Sequence, residues 1–202
     1  MPESEETGYI NGVIAGLVTK SNIIGLVGPV DGGDAARYNR GFVLGVRASN
    51  PKAQVQVAYT GSFGDFVKAA ELAHTQVKAG ADVLTGSAQQ ALGALRAVAE
   101  YKDKNIWWVG QDTAQLGIPE SYKVIAAASY AYQAVVEALI DKRQAGTLGG
   151  ESIPLNFANG GFVYQFNDKV GPVLSAAVKA AAEKAKSDIT DRKLVVPWKD
   201  VK

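Results

Sequence analysis

The chain contains no cysteine, which removes disulfides, zinc–thiolate centres and thiol nucleophiles together. It has one histidine, His74, so a Ser-His-Asp triad or a histidine-based metal site would rest on that residue alone. His74 stands mid-helix among polar neighbours, where a plain surface role is expected. Excess charge is missing as well: 21 basic residues balance 20 acidic ones for a net +1, with no run of Lys or Arg. No whole-protein field therefore draws in nucleic acid or an anionic membrane, and no nucleic-acid partner is expected. Long apolar runs are absent. The nearest candidate, "YINGVIAGLV", is too short for the ~18 residues that a bilayer span needs. "MPESEETGY" is acidic and polar where a secretory signal requires a basic and then an apolar segment, so no signal peptide is expected in this stretch.

Enzyme signatures are also lacking. "GLVGPVDGGD" puts glycines after a strand but does not form G-x-G-x-x-G, and neither G-x-x-x-x-G-K-[ST] nor G-x-S-x-G occurs. No spacing of carboxylates singles out an acid/base pair. A small nucleotide-dependent enzyme is thus disfavoured, and no catalytic residue, cofactor or metal is expected.

What is present is a regular β/α alternation in a chain that is 47% hydrophobic, enough for a sizeable core. "NIIGLVG", "AQVQVAY", "ADVLTG", "NIWWVG" and "YKVIAAAS" read as short strands, most of them near-continuously apolar. Between them, "DAARYNRGFVLGVRAS", "DFVKAAELAHTQVKAG" and "QQALGALRAVAEYKDK" show helical spacing. Asp34 and Asp65 are expected as N-caps, and Gly80 as a C-cap. This recurrence predicts a parallel sheet with right-handed crossovers and helices on both faces, with strands near Ile23, Val55, Val83 and Ile106 as members. Adjacent Trp107 and Trp108 should face opposite sides, one at least in the core. Gly8, Gly12 and Gly16 share a helix face and read as a small-residue ridge for close packing. "YQAVVEALIDKRQAG" reads as an amphipathic helix, and "ESIPLNFANGGFVYQF" as two strands around a turn at Asn159-Gly160-Gly161. An alanine-rich closing helix and a short extended tail follow.

In open parallel α/β sheets, ligands bind beyond the carboxyl ends of the strands. The residues delivered there are Asp31 and Asp34 after the first strand, then Ser62, Phe63 and Asp65 after the second. Thr85, Ser87, Gln89 and Gln90 follow the third, Gln111, Asp112 and Gln115 the fourth, and Ser129 and Tyr130 the fifth. Hydroxyls, amides, carboxylates and aromatics on one edge suit a polar, partly flat small molecule. "AYTGSFGDF" is the odd piece, because a turn seldom exposes a large apolar ring. Phe63 reads as a stacking wall that Gly61 and Gly64 allow to swing into the cleft.

The ordered stretches "EETGYINGVIAGLVTKSNIIGLVG", "RYNRGFVLGVRASNP", "VQVAYTGSFGDFVKAAELAHTQVKAGADVL", "WWVGQD" and "DITDRKLVVP" resemble the basic membrane protein (BMP) family of ABC-transporter substrate-binding lipoproteins, which includes purine nucleoside receptors. The resemblance implies a type I periplasmic-binding-protein fold of two Rossmann-like lobes, with a solute such as a nucleoside held between them for an ABC permease. It implies that Phe63 stacks on a base, that Asp112 contacts a ribose, and that the Ser87 to Gln90 loop approaches the ligand. A lysine of nucleoside-binding members is replaced by Tyr130, and the family's glycine-rich third loop reads "TGSAQQALG". With Ser62, Gln89 and Asp31, these form the expected binding set. The resemblance further implies that roughly the first hundred residues of the family are absent. Residues 20–129 would then be the ligand-binding lobe, with 1–19 and 130–202 as crossover helices and a partial second lobe. Extracytoplasmic location with a membrane anchor in the full-length family, and self-association through the incomplete lobe near Tyr9 to Val18 and Phe157 to Phe166, follow as expectations. A ligand-sensing regulatory module of the same fold is the alternative.

Overall fold

The computed structural model describes residues 1–150 and 152–201. In chain order the elements are α1 (Glu5–Val18), β1 (Ile23–Gly28), α2 (Gly33–Ser49), β2 (Gln54–Tyr59), α3 (Phe66–Lys78), β3 (Val83–Gly86), α4 (Ala91–Glu100), β4 (Trp107–Gly110), β5 (Val124–Tyr130), α5 (Tyr132–Gln144), β6 (Phe162–Phe166) and α6 (Ala176–Thr190). They build one six-stranded sheet in the order β2-β1-β3-β4-β5-β6. β1 to β5 are mutually parallel and β6 pairs antiparallel with β5. The four strands expected to be parallel are so, with Ile106 immediately preceding β4. Strand order reverses on either side of β1, which makes the C-terminal ends of β1 and β3 the switch point where crossovers part and leave a crevice.

Alternation along the strands divides the core in two. Ile24 and Leu26 face a cluster with Ile10, Ile14, Phe42 and Val46 from α1 and α2, and with Ala182 and Ile189 from α6. Val27, Leu84 and Trp108 face a second cluster with Ala69, Ala73, Ala94 and Leu95 from α3 and α4. Trp108 is fully buried there, and Trp107 packs against the opposite cluster, as adjacent residues on a pleated strand must. Gly8 and Gly12 let α1 lie directly on the backbone of α2: a Cβ at Gly8 would stand 2.2 Å from the Tyr38 carbonyl oxygen, and one at Gly12 2.1 Å from that of Phe42. The small-residue ridge is thus a helix–helix contact.

Three expectations need correction. Asp34 is not the N-cap of α2, because Gly32 is; Gly33, in the left-handed region at φ +57°, starts the helix early and puts Asp34 in its first turn. Asp65, by contrast, does cap α3 by accepting from the Lys68 amide. Residues 152–161 contribute no strand to the sheet. Leu155 makes an isolated bridge to Pro2, Asn156 and Asn159 close the turn, and β6 pairs with β5 rather than with that segment; Glu151 lies outside the described residues. Finally, the apolar residues of segments 9–18 and 157–166 are mostly covered. Ile10, Ile14 and Val18 are sandwiched between α2, α6 and the sheet, and Phe157 and Phe162 pack ring on ring at 5.3 Å. Leu17 and Val163 are the exceptions in those segments, and α5 buries none of its residues and exposes Tyr132, Val136, Leu139 and Ile140.

The acidic start of α1 is structural. Glu5 holds the Arg37 guanidinium through two hydrogen bonds, and buried Glu6 accepts from the Phe157 amide and Arg192 Nη1, both at 2.8 Å. Burial lifts the Glu6 carboxyl from 4.5 to about 7 against the pull of that amide and of Arg192, with Glu3 and Glu5 adding to the rise. The fold therefore favours protonated Glu6. Its contribution is complete below the unfolded value near 4.5 and is lost as pH rises through about 7. We expect Glu6→Gln, which cannot ionise, to gain up to about 3 kcal/mol over wild type as urea titrations move from about pH 4.5 to about pH 8. A difference that stays flat with pH would show that Arg192 keeps the carboxylate ionised throughout.

Candidate functional site

One cleft of ≈ 570 Å³ opens where all five parallel strands end, within the range usual for small-molecule sites. The turn after β1 and the first turns of α2 supply Asp34, Ala35 and Tyr38. The β2–α3 turn supplies Phe63 and Phe66, and the β3–α4 turn Ala88, Gln89 and Leu92. Gln111, Asp112, Ala114, Gln115 and Ile118 come from the segment after β4, and Ser129 and Tyr130 from the end of β5. Because β1 to β5 are parallel, their C-terminal ends lie along one edge of the sheet and bring these residues together.

The floor is held by a buried chain of hydrogen bonds. Tyr164 donates to Asn11 Oδ1 at 2.6 Å, while Asn11 Nδ2 donates to the Tyr38 hydroxyl at 2.7 Å and to the Gly110 carbonyl at 2.8 Å. Thr85 passes its own proton to the Val109 carbonyl, which leaves the Tyr38 hydroxyl to donate to Thr85 Oγ1 at 2.7 Å. Burial pushes the Tyr38 phenol up to about 12, against the hydrogen bonds of Thr85 and Asn11, so the ring stays neutral. α1, α2, β3, β4 and β6 are thereby tied to one another directly beneath the cleft.

The lining mixes aromatic and polar side chains. Phe63 is 52% exposed and stands on a turn fixed by local bonds: the Gly61 amide donates to the Pro29 carbonyl at 2.8 Å, Thr60 Oγ1 to the Ser62 carbonyl at 2.6 Å, and the Gly64 amide to Ser62 Oγ at 3.2 Å. Gly61 is in the left-handed region at φ +79°, which turns the chain back after β2. Asp112 Oδ1 caps the turn that follows β4 by accepting from the Ala114 amide at 2.9 Å. Gln115 Oε1 accepts from Trp108 Nε1 at 2.9 Å, which fixes the amide against the β4 end. At the β5 end, the Tyr130 hydroxyl donates to Asp34 Oδ2 at 2.5 Å and lies 3.2 Å from Ser4 Oγ. Burial first, and this bond to Asp34 second, push the Tyr130 phenol well above its ordinary value.

Of the residues expected in the site, Phe63, Gln89, Asp112 and Tyr130 line this cleft, while Asp31, Ser62, Ser87 and Gln90 do not. Asp31 faces solvent beside Arg40, with both carboxylate oxygens 3.2 Å from Nη2. Ser62 Oγ serves its own turn. Ser87 and Gln90 are fully buried because Ala88, in the left-handed region at φ +64°, folds the loop so that Gln90 Nε2 bonds back to the Ser87 carbonyl at 2.7 Å. Tyr38 and Phe66 were not anticipated, since both fall on positions that read as the apolar faces of helices. His74 lies away from the cleft, its Nδ1 2.9 Å from the Tyr101 hydroxyl.

Comparison with solved structures places this arrangement. An ABC transporter solute-binding protein from Conexibacter woesei superposes with a TM-score of 0.79 at 23% identity, over 97% of this chain and 64% of that one. A transcriptional activator of the comK gene from Bacillus halodurans does so with a TM-score of 0.81 at 19% identity, over 98% and 66%. The architecture is that of type I periplasmic-binding-protein-like solute-binding proteins. Among curated sequences, the ABC transporter nucleoside-binding protein BmpA of Lactococcus lactis is 30% identical over 211 residues, covering 96% of this chain. The chain spans 58% of that relative's length. The family model described as "ABC transporter substrate-binding protein PnrA-like" matches residues 3–197, nearly the whole chain, which therefore belongs to the Bmp family.

Proposed function

We propose that this chain is a solute-binding protein of an ABC importer, or the ligand-bearing part of one, and that it takes up a small, polar, partly flat molecule such as a nucleoside. The observation that carries this reading is the cleft at the five strand ends, lined by a half-exposed Phe63 ring, by Asp112 and by three glutamines. A ring held out of the core by a bonded turn is suited to stacking, and the amides and carboxylates to orienting a sugar or base edge. Residues 20–129 supply all of this lining except Tyr130, which supports their assignment as the ligand lobe. The fold alone does not decide between transport and sensing, since a transcriptional activator shares it. The nucleoside-binding relative favours transport. An ABC permease is then the protein partner, an extracytoplasmic and lipid-anchored location follows for the full-length family, and no catalytic step is required. Adenosine titrated against wild type and Phe63→Ala, with melts alongside, tests the reading. Binding that depends on Phe63 in an intact fold supports it, and no binding by wild type removes it.

The exposed apolar side of α5 adds a second expectation. Tyr132, Val136, Leu139 and Ile140 lie within little more than two turns, a patch that costs free energy when left in water. We expect two copies of the chain to associate through it. Sedimentation velocity over a concentration series should show a dimer that Leu139→Glu abolishes, whereas a wild-type monomer at every concentration removes the expectation.

A further inference from the structure

The three glutamines of the cleft are not equivalent. Gln89 and Gln111 make no side-chain hydrogen bond among the described residues, so either end of each amide can turn to a ligand. Gln115 has no such freedom. Its Oε1 accepts from Trp108 Nε1 at 2.9 Å, and an indole N–H can only donate. Trp108 is fully buried, so the amide has one orientation: Oε1 faces the indole and Nε2 points away from it. Gly110 makes room for this, because a Cβ there would stand 2.4 Å from Gln115 Oε1. Gln115 itself is only 7% exposed and lines the cleft. Nε2 has no hydrogen-bond partner among the described residues, yet it is not closed off from solvent as Ser87 Oγ and Gln90 Oε1 are. Its open side is therefore the cleft. Leu92 and Ile118, which pack against the same core cluster as Trp108, line the cleft as well. A donor in such surroundings is costly to leave unmatched once a ligand has displaced water from it.

We propose that Gln115 is the specificity-determining residue of this cleft: its Nε2 donates to a carbonyl on the edge of the ligand's flat ring, so that a keto base is preferred over an amino base. The proposal rests on the reading of this cleft as the ligand site. Trp108 and Gly110 act through Gln115 and are positioning residues. A carbonyl oxygen completes the hydrogen bonding of Nε2. An exocyclic amine at the same place sets donor against donor and leaves Nε2 dry and unpaired, and the amide cannot turn over to accept without stripping Trp108 Nε1 of its partner. Gln89 and Gln111 can adapt to either base and so do not discriminate between them.

The test titrates three probes of one shape by calorimetry at about pH 8, with ligand-observed NMR for weak binding: inosine, which carries a carbonyl at C6, adenosine, which carries an amine there, and nebularine, which carries neither. Wild type should bind inosine at least about fivefold tighter than either of the others. Gln115→Glu keeps an acceptor for Trp108 Nε1 and puts a second acceptor where Nε2 stood, so it should reverse the order and favour adenosine over inosine. A purely structural Gln115 would lower the affinity for all three probes alike. Gly110→Ala displaces Gln115 Oε1, the far end of a flexible side chain, and should reduce the preference for inosine. Should both variants fail to fold, the wild-type side-chain amide signal of Gln115 decides: it should shift on binding inosine and stay in place with nebularine. The proposal falls if wild type binds inosine less than about fivefold tighter than adenosine, if Gln115→Glu keeps the wild-type order, or if the Gln115 signal responds to both probes equally. Binding of all three probes that needs Phe63 but shows no keto preference sinks this proposal alone. No binding of any probe sinks the stacking reading and this proposal with it.

Discussion

Phe63→Ala should weaken binding of a flat, nucleoside-like ligand by roughly 5- to 150-fold and leave the melting temperature within a few degrees of wild type. The affinity range follows from base–aromatic stacking, worth about 1–3 kcal/mol per base. The unchanged stability follows from the setting of the ring: it is 52% exposed, belongs to neither core cluster, and stands on a turn whose hydrogen bonds come from Thr60, Ser62 and Gly61 rather than from the ring. Phe42 is the matched control. It is 0% exposed in the cluster under α1, so Phe42→Ala should cost about 3–5 kcal/mol and lower the melting temperature sharply. If Phe63→Ala melts like Phe42→Ala, the ring is core. If it melts and binds like wild type, the ring is a surface residue of the turn. Either outcome removes stacking from the account of this cleft.

The contrast between Phe63 and Ser87 shows which parts of the site could be read from the sequence. Strand ends are set where the hydrophobic runs stop, in glycine for β1, β3 and β4, so the residues brought to the edge, Phe63 and Asp112 among them, were legible from order alone. Which of them turn inward depends on single backbone angles. Ala88 at φ +64° hides Ser87 and Gln90, and Gly33 at φ +57° converts Asp34 from an expected cap into a cleft residue. A non-glycine residue rarely adopts that conformation, so nothing in "GSAQQ" announces it. Tyr38 was hidden for a different reason. A tyrosine on the apolar side of a helix satisfies the periodicity as well as a phenylalanine does, and only the Asn11 and Thr85 partners reveal that its hydroxyl ties the floor together. The Asn159-Gly160-Gly161 turn was found, but a turn signal does not name the partner of the strand that follows it. β6 went to the open edge of β5.

Gly12→Ala is expected to disturb the fold strongly. Taken as a helix position alone, the change should help, since alanine is favoured over glycine by about 1 kcal/mol in a helix interior. The surroundings reverse the sign. The new Cβ would stand 2.1 Å from the Phe42 carbonyl oxygen, 2.8 Å from the Val46 amide nitrogen and 3.0 Å from Gly45 Cα, all of them backbone atoms of α2 that no rotamer change can move aside. α1 must shift outward by about the overlap, on the order of 1 Å, and close-packed interiors resist such shifts at a typical cost of 1–3 kcal/mol, or more where backbone is displaced. The displacement would not stay local. Asn11, the preceding residue, bonds Tyr38, Gly110 and Tyr164, so moving α1 stretches the chain that supports the cleft floor. We therefore expect urea unfolding to show a loss of about 3 kcal/mol or more, accompanied by weaker ligand binding although no lining residue has changed. Gly117→Ala is the control. Its Cβ would meet only the Ala114 carbonyl oxygen, at an ordinary 3.6 Å, and its φ of −103° suits alanine, so that variant should match wild type or gain slightly. A Gly12→Ala protein as stable as Gly117→Ala would mean that α1 and α2 can part without consequence. The glycine ridge would then have no role in holding the cleft together.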